Sequence, residues 1–289
     1  MKENKKPIIA IVGETGSGKT QLAIKLAKKY DGELISADSR SIYKYLDIGT
    51  AKPTKVELDG VKIWGIDLIN PDEKYSVYDY QKYAKNKIAE IHYRNKIAIL
   101  VGGSGLYLDS VILNYQFSDI KYLPTSVKLA KMSIDELTKY CIKNNITLPE
   151  NSKNKRYLIN SILRINQASK QPTPDDNFLV LGICIPNDKL EIRLKNRAKD
   201  MIKLGVKKES IKAFDKYGHY NESMKGNIYS LLSNKSIEDK ILIQKCLELD
   251  LKLAKKQRTW FKRNNFIKWL DYDNALEQAE IEIEKKFYS

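Results

Sequence analysis

No stretch of the 289-residue chain approaches the length needed to cross a membrane, and the apolar run after the charged start Met1–Lys6 is too short for a secretory core. The expectation is a cytosolic protein. Cysteine is scarce. Cys141, Cys184 and Cys246 stand far apart in apolar or helical surroundings, without the spacing of a disulfide framework or a metal site. They read as buried thiols of a reducing compartment. Internal repeats and low-complexity tails are absent, which excludes a solenoid. Acidic residues are in short supply: 36 Asp and Glu face 51 Lys and Arg, a formal net charge of +15. Such a surplus points to a polyanionic partner such as nucleic acid or a phospholipid surface, with a plain bias toward Lys, Asn and Ile as the alternative. The length suffices for a full core, one α/β domain plus an appendage.

What is present begins with GETGSGKT at residues 13–20, in which Gly13, Gly18, Lys19 and Thr20 fit the phosphate-loop spacing G-x-x-x-x-G-K-[ST]. An apolar run, Pro7–Val12, precedes it as a buried strand; Leu22, Ala23, Leu26 and Ala27 follow at helical spacing. In that setting the glycines let successive N–H groups turn inward on an anion at a helix N-terminus. Lys19 adds charge and the Thr20 hydroxyl can bind Mg²⁺.

The first third alternates strand and helix, as a parallel sheet requires. Strands are expected at 33–37, 62–66 and 96–101, and Ser76 as the N-cap of a helix from Val77 to about Arg94. The strand 96–101 runs into Gly102-Gly103-Ser104-Gly105 and a helix to about Leu113. Residues 178–185 (FLVLGICI) resume the sheet, followed by a helix from about Asp188 to Leu204. A long helix capped by Ser236 is expected to reach about Arg263, with Cys246, Leu249, Leu253 and Trp260 on one stripe. Lys255, Arg258 and Lys262 share another face, either simply solvated or in contact with a phosphate backbone. The expected architecture is an α/β, P-loop-type parallel sheet flanked by helices, with a small inserted helical subdomain and a helical C-terminal part. Its bounds are 1–115 for the first part of the core, 116–176 for the insertion and 177–289 for the remainder.

One absence is chemical. A P-loop nucleotidase holds Mg²⁺ with an acid at the end of a second apolar strand. Here KIAILV ends in Gly102-Gly103-Ser104 and FLVLGICI ends in Pro186. The acid at a strand end near the loop is Asp38, after ELISA. In a parallel sheet it faces the same crevice, suited to removing a proton from an acceptor while a pyrophosphate leaves. An N-cap or a Mg²⁺ ligand is the alternative role.

At this point a family comes into view. Ser36-Ala-Asp-Ser-Arg-Ser-Ile-Tyr43, Asp47-Ile-Gly-Thr-Ala-Lys-Pro53, Val101-Gly-Gly-Ser-Gly-Leu-Tyr107 and Ala254-Lys-Lys-Gln-Arg-Thr-Trp-Phe261 resemble the signatures of tRNA dimethylallyltransferases. The order holds from the phosphate loop to Asp271. The resemblance implies transfer of a dimethylallyl group from its diphosphate to N6 of the adenosine just 3′ of the anticodon, with Mg²⁺ and a helical insertion gripping the anticodon arm. It also implies that Gly13, Glu14, Thr15, Gly16, Ser17, Gly18, Lys19 and Thr20 cradle the diphosphate, with Thr20 on the metal and Arg193 and Arg197 in support. Asp38 would take the N6 proton and Ser104 would hydrogen-bond at the reacting centre. Contacts with tRNA would come from Asp38, Ser39, Arg40, Ser41, Arg156, Tyr157, Asn160, Lys255 and Arg258. No membrane partner is implied, and a monomer is the default.

The chain departs from the pattern in several places. Glu14 stands where the family usually has Pro, which sets a negative side chain beside a diphosphate site, and Ser104 replaces Thr. Tyr157, Asn160 and Leu251 stand where arginines are usual, and the insertion is short. Lysine neighbours do not reproduce the bidentate fork of arginine. Three other readings stay open: a prenyltransferase acting on free adenine nucleotide, a homologue that binds tRNA without turnover, and an ATP-using kinase or RNA-interaction protein.

Overall fold

The computed structural model describes residues 6–117, 124–149, 151–164, 173–219, 221–233 and 237–288. The chain forms two compact units, one of Met1–Leu113 with Pro174–Ser289 and one of Asn114–Thr173. The larger unit is built on a parallel sheet of six strands: β1 (Ile8–Gly13), β2 (Gly32–Ser36), β3 (Ile63–Trp64), β4 (Ile97–Gly102), β5 (Phe178–Cys184) and β6 (Lys268–Asp271), in the order β3-β2-β4-β1-β5-β6.

β1 and β4 are apolar almost throughout because both faces of the sheet are covered. Ile8, Ala10 and Val12 of β1 join the core on one face, where helices α3 (Val77–Tyr93), α4 (Gly105–Ile112), α9 (Val206–Tyr217) and α11 (Asp239–Phe261) contribute. Ile9 and Ile11 point to the other face, packed with α1 (Lys19–Lys29) and α12 (Ala275–Phe287). A short helix α2 (Lys55–Leu58) and α3 each begin with a capping box, Thr54 with Glu57 and Ser76 with Asp79. Each box satisfies amide N–H groups that the first helical turn leaves unpaired. Helix α8 (Asn187–Leu204) follows β5, and α10 (Ile228–Leu232) precedes α11.

The smaller unit contains α5 (Pro124–Lys131), α6 (Ile134–Lys143) and α7 (Lys155–Arg164). Its core is Leu129, Leu137, Cys141, Leu158 and Ile162, and Ser133 with Glu136 forms the capping box of α6.

Three expectations are corrected. Ser236 lies outside the described residues, and α11 starts after Glu238, which makes no side-chain cap. The buried positions of α11 are Leu242, Cys246, Leu247, Ala254 and Phe261, whereas Leu253 is 41% exposed. The helix packs on α8 as well as on the sheet, so its apolar surface is two stripes instead of one. Cys184 is exposed at the end of β5, while Cys141 and Cys246 are buried; all three are free thiols. Among the described residues no helix is long and apolar enough to cross a membrane.

Candidate active site

β1 continues into α1 on one face of the sheet, and its neighbour β4 continues into α4 on the other. Between strands whose connections diverge in this way, a crevice opens at their carboxyl ends. Residues 13–20 cross that crevice. Gly16 has φ +79°, and a Cβ on it would lie 2.9 Å from Leu194 Cδ2, so glycine serves there both for conformation and for the approach of α8. Lys19 opens α1 and donates to the Glu14 carbonyl at 3.0 Å, folded back over its own loop. Burial pushes the Lys19 ammonium down to about 8; the Asp38 carboxylate works against this, the Arg197 charge adds to it, and Glu14 opposes it. Asp38 follows β2 and Lys19 follows β1, the two strands that flank β4, and the carboxylate favours the charged ammonium across that strand.

Asp38 is held by its own turn: Arg40 N–H donates to Asp38 Oδ1 at 2.8 Å. Ser104 accepts from Ser39 N–H at 2.9 Å, and the hydroxyls of Ser104 and Ser39 lie 3.1 Å apart. The Ser104 hydroxyl thus couples the β4 loop to the β2 loop. Ser41 is buried at the start of the next turn.

The loop is braced from behind by two helices far away in sequence. Arg193 donates through Nε to the Gly16 carbonyl at 2.7 Å and through a terminal nitrogen to Tyr272 Oη at 3.0 Å. Arg197 donates to Thr15 Oγ1, with Asp250 4.0 Å away. Burial raises the Asp250 carboxyl, and Arg197 offsets part of that. From α11, Gln257 accepts from Thr15 N–H at 2.8 Å and donates to the Gly103 carbonyl at 3.0 Å, clipping the two glycine loops together.

Arg258 of α11 has partners that sequence periodicity did not reveal. Its guanidinium forks onto Glu14, with Nε 2.7 Å from Oε2, and also reaches Asn187 Oδ1 at 2.7 Å and the Ile185 carbonyl at 3.1 Å. The guanidinium is thus engaged by partners within the chain. Glu14, only 3% exposed, is thereby neutralised instead of standing as a free negative charge beside an anion site. Lys255 is exposed, as is Tyr157 of α7; the side chains of Arg156 and Asn160 lie outside the described part. Beside the loop is a small cleft of about 160 Å³ whose walls include Gly13, Glu14, Cys184, Phe261 and Trp269.

Two further residues escaped sequence reasoning. The Glu209 carboxylate of α9 accepts from three successive amides, Asp47 at 3.0 Å, Ile48 at 2.9 Å and Gly49 at 3.0 Å, and from Tyr229 Oη. These bonds pin the loop that follows Asp38. No local signal announces such a contact, since the partners are more than 150 residues apart.

Among the described residues no three His, Cys, Asp or Glu side chains converge as a metal cage. Thr20, the second residue of α1, and Asp38 are oxygen donors on the loops at this edge. That set suits Mg²⁺, which takes one or two protein oxygens and fills its shell with phosphate and water.

Comparison with known proteins places the chain in a family. A family model described as IPP transferase matches residues 41–264. A tRNA dimethylallyltransferase of Acetivibrio thermocellus is 33% identical over 306 residues, covering 97% of this chain and 96% of that protein. The crystal structure of a full-length tRNA isopentenylpyrophosphate transferase from Bacillus halodurans superposes with a TM-score of 0.75 at 29% identity, over 98% of this chain and 97% of that one. A eukaryotic dimethylallyltransferase acting on tRNA gives a TM-score of 0.81 at 23% identity, over 98% of this chain and 80% of the other, a likeness of fold.

Proposed function

The chain belongs to the IPP transferase family, whose curated relatives are tRNA dimethylallyltransferases, and on that premise we propose that it transfers a dimethylallyl group from dimethylallyl diphosphate to N6 of the adenosine 3′ to the anticodon. The observation that carries this reading is the convergence of the 13–20 loop, Asp38 and Ser104 at the carboxyl ends of three successive strands, β1, β2 and β4, with Gln257 joining the two glycine loops and Ser104 bonded to the turn after Asp38.

The N–H groups of residues 13–20 and the Lys19 ammonium receive the negative charge that builds on the diphosphate as the allylic C–O bond breaks. The bonding electron pair leaves with that oxygen. The N6 lone pair forms the new C–N bond, and the N6 proton passes to an Asp38 oxygen. The Thr20 hydroxyl would hold Mg²⁺, which would supply charge neutralisation at the leaving group. Arg193 and Arg197 act on the loop's own oxygens and so fix its shape. The target base must leave its stack, which is least costly in a single-stranded loop. Exposed Lys128, Lys131, Lys139 and Lys143 of the smaller unit supply charge for the anticodon arm.

The test is mass-spectrometric nucleoside analysis after incubation with unmodified tRNA, dimethylallyl diphosphate and Mg²⁺. N6-isopentenyladenosine is the expected product. With Asp38→Ala, turnover falls by orders of magnitude while tRNA stays bound. Product formation at the unaltered rate in that variant removes Asp38 as the base. Prenylation of AMP in place of tRNA would move the acceptor to a free nucleotide.

A further inference from the structure

The loop that begins at Asp38 carries a second feature the proposed chemistry does not use. Among the described residues, eight non-glycine positions have positive φ. Asp31, Asp59, Asp67, Asn95, Asn114 and Asn145 are types that tolerate it, and Ala51 is small. Tyr45, at φ +65°, is the one bulky side chain held in this region. Its ring is not buried to compensate: the residue is 57% exposed. A strained backbone that displays a large aromatic ring to water points to a use for the ring.

The surroundings indicate what the ring meets. Tyr45 stacks with Tyr217 at the end of α9, ring centres 6.3 Å apart and planes 21° from parallel. The Lys216 ammonium lies 4.9 Å from the Tyr45 ring centre and 5.1 Å from that of Tyr217. Lys208, Lys212 and Lys216 follow one another at one-turn spacing along α9, all exposed. A flat aromatic step beside a lysine stripe is the combination that takes a single-stranded nucleic acid, bases on the rings and phosphates on the ammonium groups.

A relay of contacts leads from the step to Asp38. Arg40, which bonds to Asp38 through its amide, donates from its guanidinium to the Glu222 carbonyl; the preceding residue, Asn221, donates to the Tyr217 carbonyl. Asp38, Arg40, Tyr217 and Tyr45 are thus linked within the larger unit, by hydrogen bonds as far as Tyr217 and by ring stacking from there to Tyr45. Glu209 keeps that linkage in place by holding Asp47, Ile48 and Gly49.

We propose that Tyr45, backed by Tyr217 and Lys216, is the stacking platform for an unpaired nucleobase of the RNA substrate beside the adenosine presented to Asp38. This deepens the reading of the preceding subsection and rests on it. It makes Tyr45 a positioning residue that keeps the acceptor strand in register while the target base is out of the stack.

Tyr45→Gly separates the ring from the strain. Glycine suits φ +65°, so the melting temperature should hold or rise, whereas affinity for a fluorescently labelled anticodon stem-loop RNA should fall roughly 5- to 100-fold. In steady-state kinetics KM for tRNA should rise with KM for dimethylallyl diphosphate unchanged. Tyr45→Phe should stay within about threefold of the unaltered protein, because stacking needs the ring and not the hydroxyl. Tyr45→Gly binding the stem-loop as tightly as the unaltered protein overturns the proposal, as does Tyr45→Phe as weak as Tyr45→Gly. If the unaltered protein makes no prenylated nucleoside while Tyr45→Gly still loses stem-loop affinity, the transferase reading fails and the platform stands.

Discussion

The ion pair between Glu14 and Arg258 permits a sharp test of how the phosphate loop is held. Arg258→Ala removes the fork on Glu14 together with the bonds to Asn187 and Ile185, and leaves a carboxylate that is 3% exposed without its partner. Breaking a buried pair from one side destabilises by about 3–5 kcal/mol. The Arg258 side chain keeps 27% of its surface in water, so solvent can partly replace it, and roughly 2–3 kcal/mol is expected here. At about 2 °C per kcal/mol for a chain of this size, the melting temperature should drop by roughly 4–6 °C. Glu14→Gln added to Arg258→Ala removes the stranded charge and should restore more than half of the loss. Urea unfolding of the four members of this cycle gives the coupling energy directly. A loss under about 0.5 kcal/mol in Arg258→Ala, or no recovery in the double variant, would refute the claim that the pair neutralises Glu14.

Lys19 makes the phosphate loop sensitive to pH. Its folded value of about 8 lies below the 10.5 of a free lysine, so the fold binds fewer protons than the unfolded chain between those values. Its contribution to stability is therefore least favourable below pH 8 and improves as pH rises toward 10.5. Diphosphate needs the charged form, and its affinity, measured by calorimetry relative to Lys19→Ala, should weaken by up to about tenfold per pH unit above 8; a flat difference would contradict this. Gln257→Ala cuts both bonds between the glycine loops, and a roughly tenfold lower kcat/KM with a small change in melting temperature is expected; unaltered kinetics would reduce Gln257 to packing. A Cβ on Gly105 would stand 2.2 Å from Trp260 Cδ1, the ring whose Nε1 donates to Asp109 at 2.7 Å. Gly105→Ala should cost about 2–3 kcal/mol in urea unfolding, and a neutral result would mean that α4 and α11 can part without loss.

The parallel, helix-flanked sheet is legible in the sequence because strands buried on both faces are unbroken apolar runs, as in Ile8–Val12 and Ile97–Val101. The start of α3 is legible because a capping box is local, Ser76 and Asp79 being three residues apart. Strand order is not, since hydrophobicity says that a strand is buried and not beside which neighbour. The apolar stripe of α11 was misplaced for a related reason: a helix gripped by both α8 and the sheet buries positions that one-sided periodicity assigns to solvent. Arg258 shares a helical face with Lys255 and Lys262, but spacing names a face and not what lies against it. The fork onto Glu14 spans 244 residues of sequence and exists only in the folded chain.

The bracing of the glycine loop has a bearing on biosynthesis. Residues 13–20 are synthesised well before the groups that shape them, Arg193, Arg197, Gln257 and Arg258. The motif is complete as sequence long before it is complete as a binding site. A nascent chain arrested before α11 should carry an intact phosphate-loop sequence that grips nothing, and supplying residues 237–288 as a separate fragment would be the natural route to a split enzyme whose activity reports that two polypeptides have met.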